Sequence, residues 1–172
     1  MKIKNQLKKS NSMLILLNSK TYNTSVRDIT KSLLDKRVCY VTLNKTAQSV
    51  KENLVKSKQN DIVIIDAISK SIYDKVEELE DVYYVSAPNA LMELSLTITE
   101  FLKHDFDYII FDSLTNLLIY QKKSPISKFV SNLINKIKGT NTKAIFLALK
   151  TSAHEELIEE VSMHVDTTIK NK

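Results

Sequence analysis

The stretch DYIIFD, residues 107–112, is apolar throughout between two carboxylates. A strand without polar alternation is buried on both faces, which is the mark of a parallel sheet covered by helices. Six further runs of the same kind surround it: MLILL (13–17), VCYVTL (38–43), DIVIID (61–66), VYYV (82–85), AIFLAL (144–149) and VDTTI (165–169). Between them apolar residues recur at helical spacing. The sets are Val26, Ile29, Leu33 and Leu34; Val50, Leu54 and Val55; Leu91, Leu94, Leu96, Ile98, Phe101 and Leu102; Ile126, Phe129, Val130, Leu133, Ile134 and Ile137; and Leu157, Ile158 and Val161. Each predicts an amphipathic helix. Strands alternating with helices in this way predict an α/β fold, a three-layer sandwich around a mostly parallel central sheet.

The chain has 172 residues, 43% of them hydrophobic and 26% charged, enough for one buried core. The sequence divides into a basic N-terminal arm, residues 1–11, and a single domain over residues 12–170, with no internal repeat, low-complexity segment or linker. No apolar run reaches the roughly 18–20 residues that crossing a bilayer requires. The opening MKIKNQLKKS is followed by too short an apolar run for an export signal. The single cysteine, Cys39, has no partner for an internal disulfide and sits inside an apolar run. The expectation is a cytoplasmic protein without a membrane partner.

The formal charge is +5, and it is unevenly spread: residues 1–36 carry eight basic side chains against Asp28 and Asp35, a net of +6. No aromatic side chain interleaves with these lysines, and the whole chain has two arginines. Nucleic acid is therefore the lesser of the partner readings. In HEELI, residues 154–158, the position that H-E-x-x-H reserves for a second histidine holds Ile158. With one cysteine and three histidines, no metal site is expected.

Ligands of open parallel sheets bind beyond the carboxyl ends of the strands. The residues there are Asn18, Asn44 and Lys45, Asp66, Asp112 and Ser113, and Lys150 and Thr151. One glycine in the chain, Gly139, leaves these loops little of the backbone freedom that close anion recognition uses.

YIIFDSLTNLLIYQKKSPISKFVSNLINKIKGTNTKAIFLALK, residues 108–150, resembles the KaiC branch of the RecA-like P-loop ATPases, in which an apolar strand ends in Asp-Ser-Leu/Ile-Thr and a long helix leads to the next strand. VCYVTLNKTAQSVKENL (38–54) looks like that family's second strand and following helix, and HEELIEEVSMHVDTTIK (154–170) like its closing helix and strand. The likeness covers about residues 12–170 and implies a RecA/KaiC-like P-loop NTPase fold. It also implies a nucleotide pocket whose phosphate loop is G-x-x-x-x-G-K-[ST]. Laid on that pattern, the eight positions fall on Asn18, Ser19, Lys20, Thr21, Tyr22, Asn23, Thr24 and Ser25. Both glycines have become asparagine and the lysine has become Thr24; Ser25 keeps the hydroxyl that reaches Mg²⁺ in the family, and Asp112 matches the magnesium-holding aspartate. The family's acidic pair after the second strand is replaced by Asn44 and Lys45. The resemblance further implies a hairpin after the last strand, which a sequence ending at Lys172 does not carry.

Glycines let successive N–H groups wrap a phosphate, and the lysine neutralises its charge. Losing both, with the acidic pair, removes three separate parts of phosphoryl-transfer chemistry. Asparagine tolerates the left-handed region, so two shapes are open for residues 18–25: a nest wide enough for phosphate, or a loop filled by Tyr22 and Asn23. The expected function is a catalytically inactive RecA/KaiC-like module in regulation, signalling or protein interaction, paired with itself or another protein. No resident cofactor is expected. The alternatives are a non-hydrolysing ATP sensor that uses Mg²⁺ with Ser25, Asp112 and the helix N-terminus, with Lys20 as a second cation, and a nucleic-acid accessory.

Overall fold

The computed structural model of the chain describes residues 2–54 and 62–170. Val55 and Asp61, read above as the ends of a helix and a strand, lie outside the described residues. Seven strands form one sheet: β1 (Ser12–Leu17), β2 (Val38–Thr42), β3 (Ile62–Asp66), β4 (Val82–Tyr84), β5 (Tyr108–Asp112), β6 (Lys143–Leu149) and β7 (Thr167–Lys170). Their order is β4-β3-β2-β5-β6-β1-β7, and every pairing is parallel. The sheet is thus wholly parallel where the sequence predicted a mostly parallel one.

Two apolar layers sandwich it, because successive side chains of each strand point to opposite faces. One layer takes Leu14 and Leu16 of β1, Phe111 of β5 and Phe146 of β6, covered by α5 (Leu91–Phe101), α6 (Lys123–Ile137) and α7 (Glu155–Ser162). The other takes Met13, Ile15 and Leu17 of β1 with Tyr40 of β2, covered by α2 (Tyr22–Lys31) and α3 (Ala47–Leu54). Helix α6 shows why the sequence folds so. Ile126, Phe129, Val130, Leu133, Ile134 and Ile137 make one apolar stripe, and all six are buried.

The segment read as a basic arm is a docked helix, α1 (Lys2–Leu7). Leu7 is buried in the α2–α3 layer, Lys4 Nζ lies 2.8 Å from Asp35 Oδ1, and the Lys143 ammonium contacts the Leu7 carbonyl. A short helix, α4 (Ser69–Ile72), follows β3, and 3-10 segments cover Ser19–Thr21, Leu114–Ile119 and Ser152–His154. Chain connections leaving β2 and β3 lead toward the β4 edge, and those leaving β5 and β6 lead toward the β7 edge. The crevice between the carboxyl ends of β2 and β5 is therefore the topological switch point, where α/β sheets bind ligands. Thr42 and Asp112 are register partners there.

Candidate functional site

Asp112 ends β5 at this switch point and is fully buried. Its carboxylate is the meeting point of three elements. The Tyr22 hydroxyl, from the first residue of α2, donates to Oδ1 at 2.6 Å; the Tyr40 hydroxyl, from β2, donates to Oδ2 at 2.5 Å; and Asn44 Nδ2 donates to Oδ1 at 3.3 Å. Burial, and then the negative charge of Asp112, push both phenols well above the ordinary tyrosine value. They stay protonated as donors. The Asp112–Ser113 peptide bond is cis, and the Asp112 carbonyl accepts the Leu43 N–H at 2.7 Å. The carboxylate is not a helix cap: the 3-10 segment that follows starts at Leu114, with Ser113 at its cap position and no side-chain cap bond.

Residues 18–25 form no open nest: of the two residues expected to fill the loop, Tyr22 turns inward to Asp112, whereas Asn23 is exposed. Asn18 has φ −75° and ψ 141°, ordinary extended backbone, and its side chain accepts the Lys20 N–H at 3.0 Å. The left-handed turn that asparagine would permit is not used, and among the described residues positive φ occurs only at Asp81 and Asp105. From Asn18 the chain enters the 3-10 turn Ser19–Thr21 and then α2 at once. A phosphate nest needs consecutive N–H groups pointing into open space; here helix begins where that loop would run. Asn23, Thr24 and Ser25 belong to the first turns of α2, which begins at Tyr22, ahead of the apolar set that starts at Val26. Asn23 Oδ1 accepts the Lys45 ammonium at 2.7 Å. Lys20 and Thr24 are exposed, whereas Ser25 is half-buried. Of the six candidate pocket residues, the five besides Asp112, namely Asn18, Lys20, Asn23, Thr24 and Ser25, make no hydrogen bond to its carboxylate. Its partners are Tyr22, Tyr40 and Asn44.

The remaining strand ends serve the scaffold. Asp66 is fully buried, and its carboxylate accepts the N–H groups of Ala47, Ile68 and Ser69 at 2.7–2.8 Å and the Ser69 hydroxyl at 2.6 Å, tying α3 and α4 to β3. Thr42 Oγ1 donates to the Lys45 carbonyl and accepts the Lys45 N–H, closing the turn that carries Asn44. Lys150 is exposed, and its N–H bonds the Leu17 carbonyl. Asn44 Oδ1 and Thr151 Oγ1 are buried atoms without a partner. Among the described residues no three His, Cys, Asp or Glu side chains converge. His154 closes a 3-10 turn, and His164 Nε2 lies 3.5 Å from Ser127 Oγ.

Sequence reasoning placed Asp112 but not Tyr40, which was read only as part of a strand. Its signal is chemical: a tyrosine at an inward position of a strand buried on both faces must find a partner for its hydroxyl. Among the described residues no helix is long and apolar enough to cross a membrane. No curated protein matches the chain. The model of the family described as a family of unknown function (DUF7090) matches residues 9–172, and the chain belongs to that family.

Proposed function

We propose that the protein is a catalytically silent RecA/KaiC-like module, kept as a regulatory or protein-interaction domain. The observation that carries this reading is the Tyr22–Asp112 hydrogen bond. In the ATPases that the sequence resembles, the aspartate at this strand end faces magnesium. Here the phenols of Tyr22 and Tyr40 and the amide of Asn44 take three of that carboxylate's roughly four acceptor sites. For magnesium to take the place of one of these donors, a hydrogen bond to a buried charge would have to break, worth about 1.5–3 kcal/mol. The wholly parallel sheet and the position of Asp112 at the switch point are compatible with the RecA-like reading. Supporting the interaction role, Met92 and Leu96 of α5 and Ile119 of the 3-10 segment after β5 are exposed apolar side chains. The Gln121 amide donates to the Asn89 carbonyl and holds the two segments side by side. Contiguous exposed apolar patches mark interaction surfaces, and Met92 and Leu96 lie about one helical turn apart on α5.

The test is thermal unfolding with and without Mg–ATP, beside an assay of phosphate release. A ligand at a hundred times its dissociation constant adds about 2.7 kcal/mol of stability. The reading requires neither a shift at millimolar nucleotide nor turnover. A saturable shift without turnover selects the non-hydrolysing sensor instead, and turnover lost in Asp112→Ala overturns the reading altogether.

A further inference from the structure

We propose that the cleft between α2 and α3, which adjoins the crevice at the strand ends through Tyr40 and Lys45, is a binding site for a small organic phosphate. The cleft encloses about 270 Å³ on the outer side of Tyr40. That is just below the usual range for small-molecule pockets, about 300–1,000 Å³, and suits a ligand of one ring and one anionic group.

Its charge is one-sided. Arg27 enters from α2 and Lys45 from the turn after β2, and none of the described residues lining the cleft is acidic. Lys45 Nζ is held by Asn23 Oδ1 at 2.7 Å, which fixes a three-donor ammonium at the wall and leaves its other protons for a ligand. The nearest carboxylate to Arg27 is Asp28, 3.5 Å from Nε on an exposed surface, an arrangement that holds a guanidinium weakly. The planar terminal nitrogens of arginine match phosphate oxygens in pairs, and a lysine adds a point charge beside them. Thr24 and Asn53 supply neutral hydrogen-bonding groups from the two facing helices.

The remaining wall is apolar: Val26, Val50 and Leu54 line the same space. Water or a bare inorganic ion gains nothing from that wall. A ligand carrying a phosphate and a compact apolar ring satisfies both halves, burying its ring while the phosphate faces the two cations. The spacing along α2 supports a shared face, because Asn23, Arg27 and Thr30 recur at intervals of four and three residues.

Phenyl phosphate is the probe, followed by amide NMR shifts of the full chain and by calorimetry, with inorganic phosphate and phenol as its two halves. The expected result is saturable binding with shifts centred on Thr24, Arg27 and Asn53. Arg27→Gln and Lys45→Gln should each weaken it by about tenfold, and each half-probe should bind at least about tenfold more weakly than the whole. Arg27 is exposed and Lys45 half-buried, so neither change removes a core contact, and ligand-free thermal unfolding of each variant checks that it is folded. The proposal is overturned if no saturation is reached by about 10 mM, if both variants bind like wild type, or if inorganic phosphate binds as well as phenyl phosphate.

Discussion

Replacing Tyr40 by phenylalanine deletes one donor to a carboxylate that is fully buried, so the loss includes the desolvation of an acceptor that water cannot reach. Tyr40→Phe should lower unfolding free energy by about 2 kcal/mol in urea titration, and Tyr22→Phe, half-buried at the start of α2, by about 1 kcal/mol. The two changes share one carboxylate and should not add. The pH behaviour follows from the same geometry. Both phenols titrate higher when folded than the ordinary value of 10.0, so their contribution is complete below that pH and fades as pH rises above it. Tyrosinate absorbance should show these two ionising only as the chain unfolds, and the fall in stability above about pH 10 should be shallower in the double phenylalanine variant. Asp112 was legible in the sequence as the end of an apolar run. Its donors were not, because Tyr40 and Tyr22 lie 72 and 90 residues away and periodicity carries no information on which hydroxyl meets which carboxylate.

At the scale of elements, Asp66 and Asp166 are the joints. Asp66→Ala leaves three buried N–H groups, of Ala47, Ile68 and Ser69, without their acceptor and should cost at least about 3 kcal/mol; Asp66→Asn, which keeps one strong acceptor, should cost less. Asp166 Oδ2 accepts the N–H groups of Asn11 and Ser12 and fastens the start of β1 to the turn before β7. Partial burial raises its pKa, but these N–H groups and the Ser12 hydroxyl outweigh that and hold it below the ordinary 3.8. A depressed carboxyl stabilises above its unfolded pKa and loses that contribution as pH falls through the folded one. Asp166→Asn should therefore flatten the fall in stability below about pH 4 in an acid titration. The strands other than β7 were legible as apolar runs between polar breaks, and β7 (TTIK) as a short β-branched run. Helix α4, at four residues, is too short to display a period, and α1 offers little beyond Ile3 and Leu7 as an apolar face, so its docking shows only in three dimensions.

For the whole molecule, the strand order concentrates the chemistry at one place. Because connections diverge from β2 and β5, the residues at their carboxyl ends, Asn44 and Asp112, face one crevice, and the first residue of α2 reaches the same point from β1. The layered α/β class followed from the alternation of apolar runs with amphipathic spacings. The filling of the crevice did not, since open and closed forms of residues 18–25 satisfy the same pattern of strand followed by helix. The carboxylates that fasten the elements to one another, Asp66 and Asp166, are separate from the crevice. The most direct test replaces Mg²⁺ by paramagnetic Mn²⁺ in complex with ATP and follows amide NMR signals around Asp112. If the tyrosine hydroxyls hold the carboxylate, the signals of Leu43, Asn44 and Ser113 keep their intensity at millimolar Mn–ATP. Selective broadening of those three, abolished in Asp112→Ala, would contradict the account.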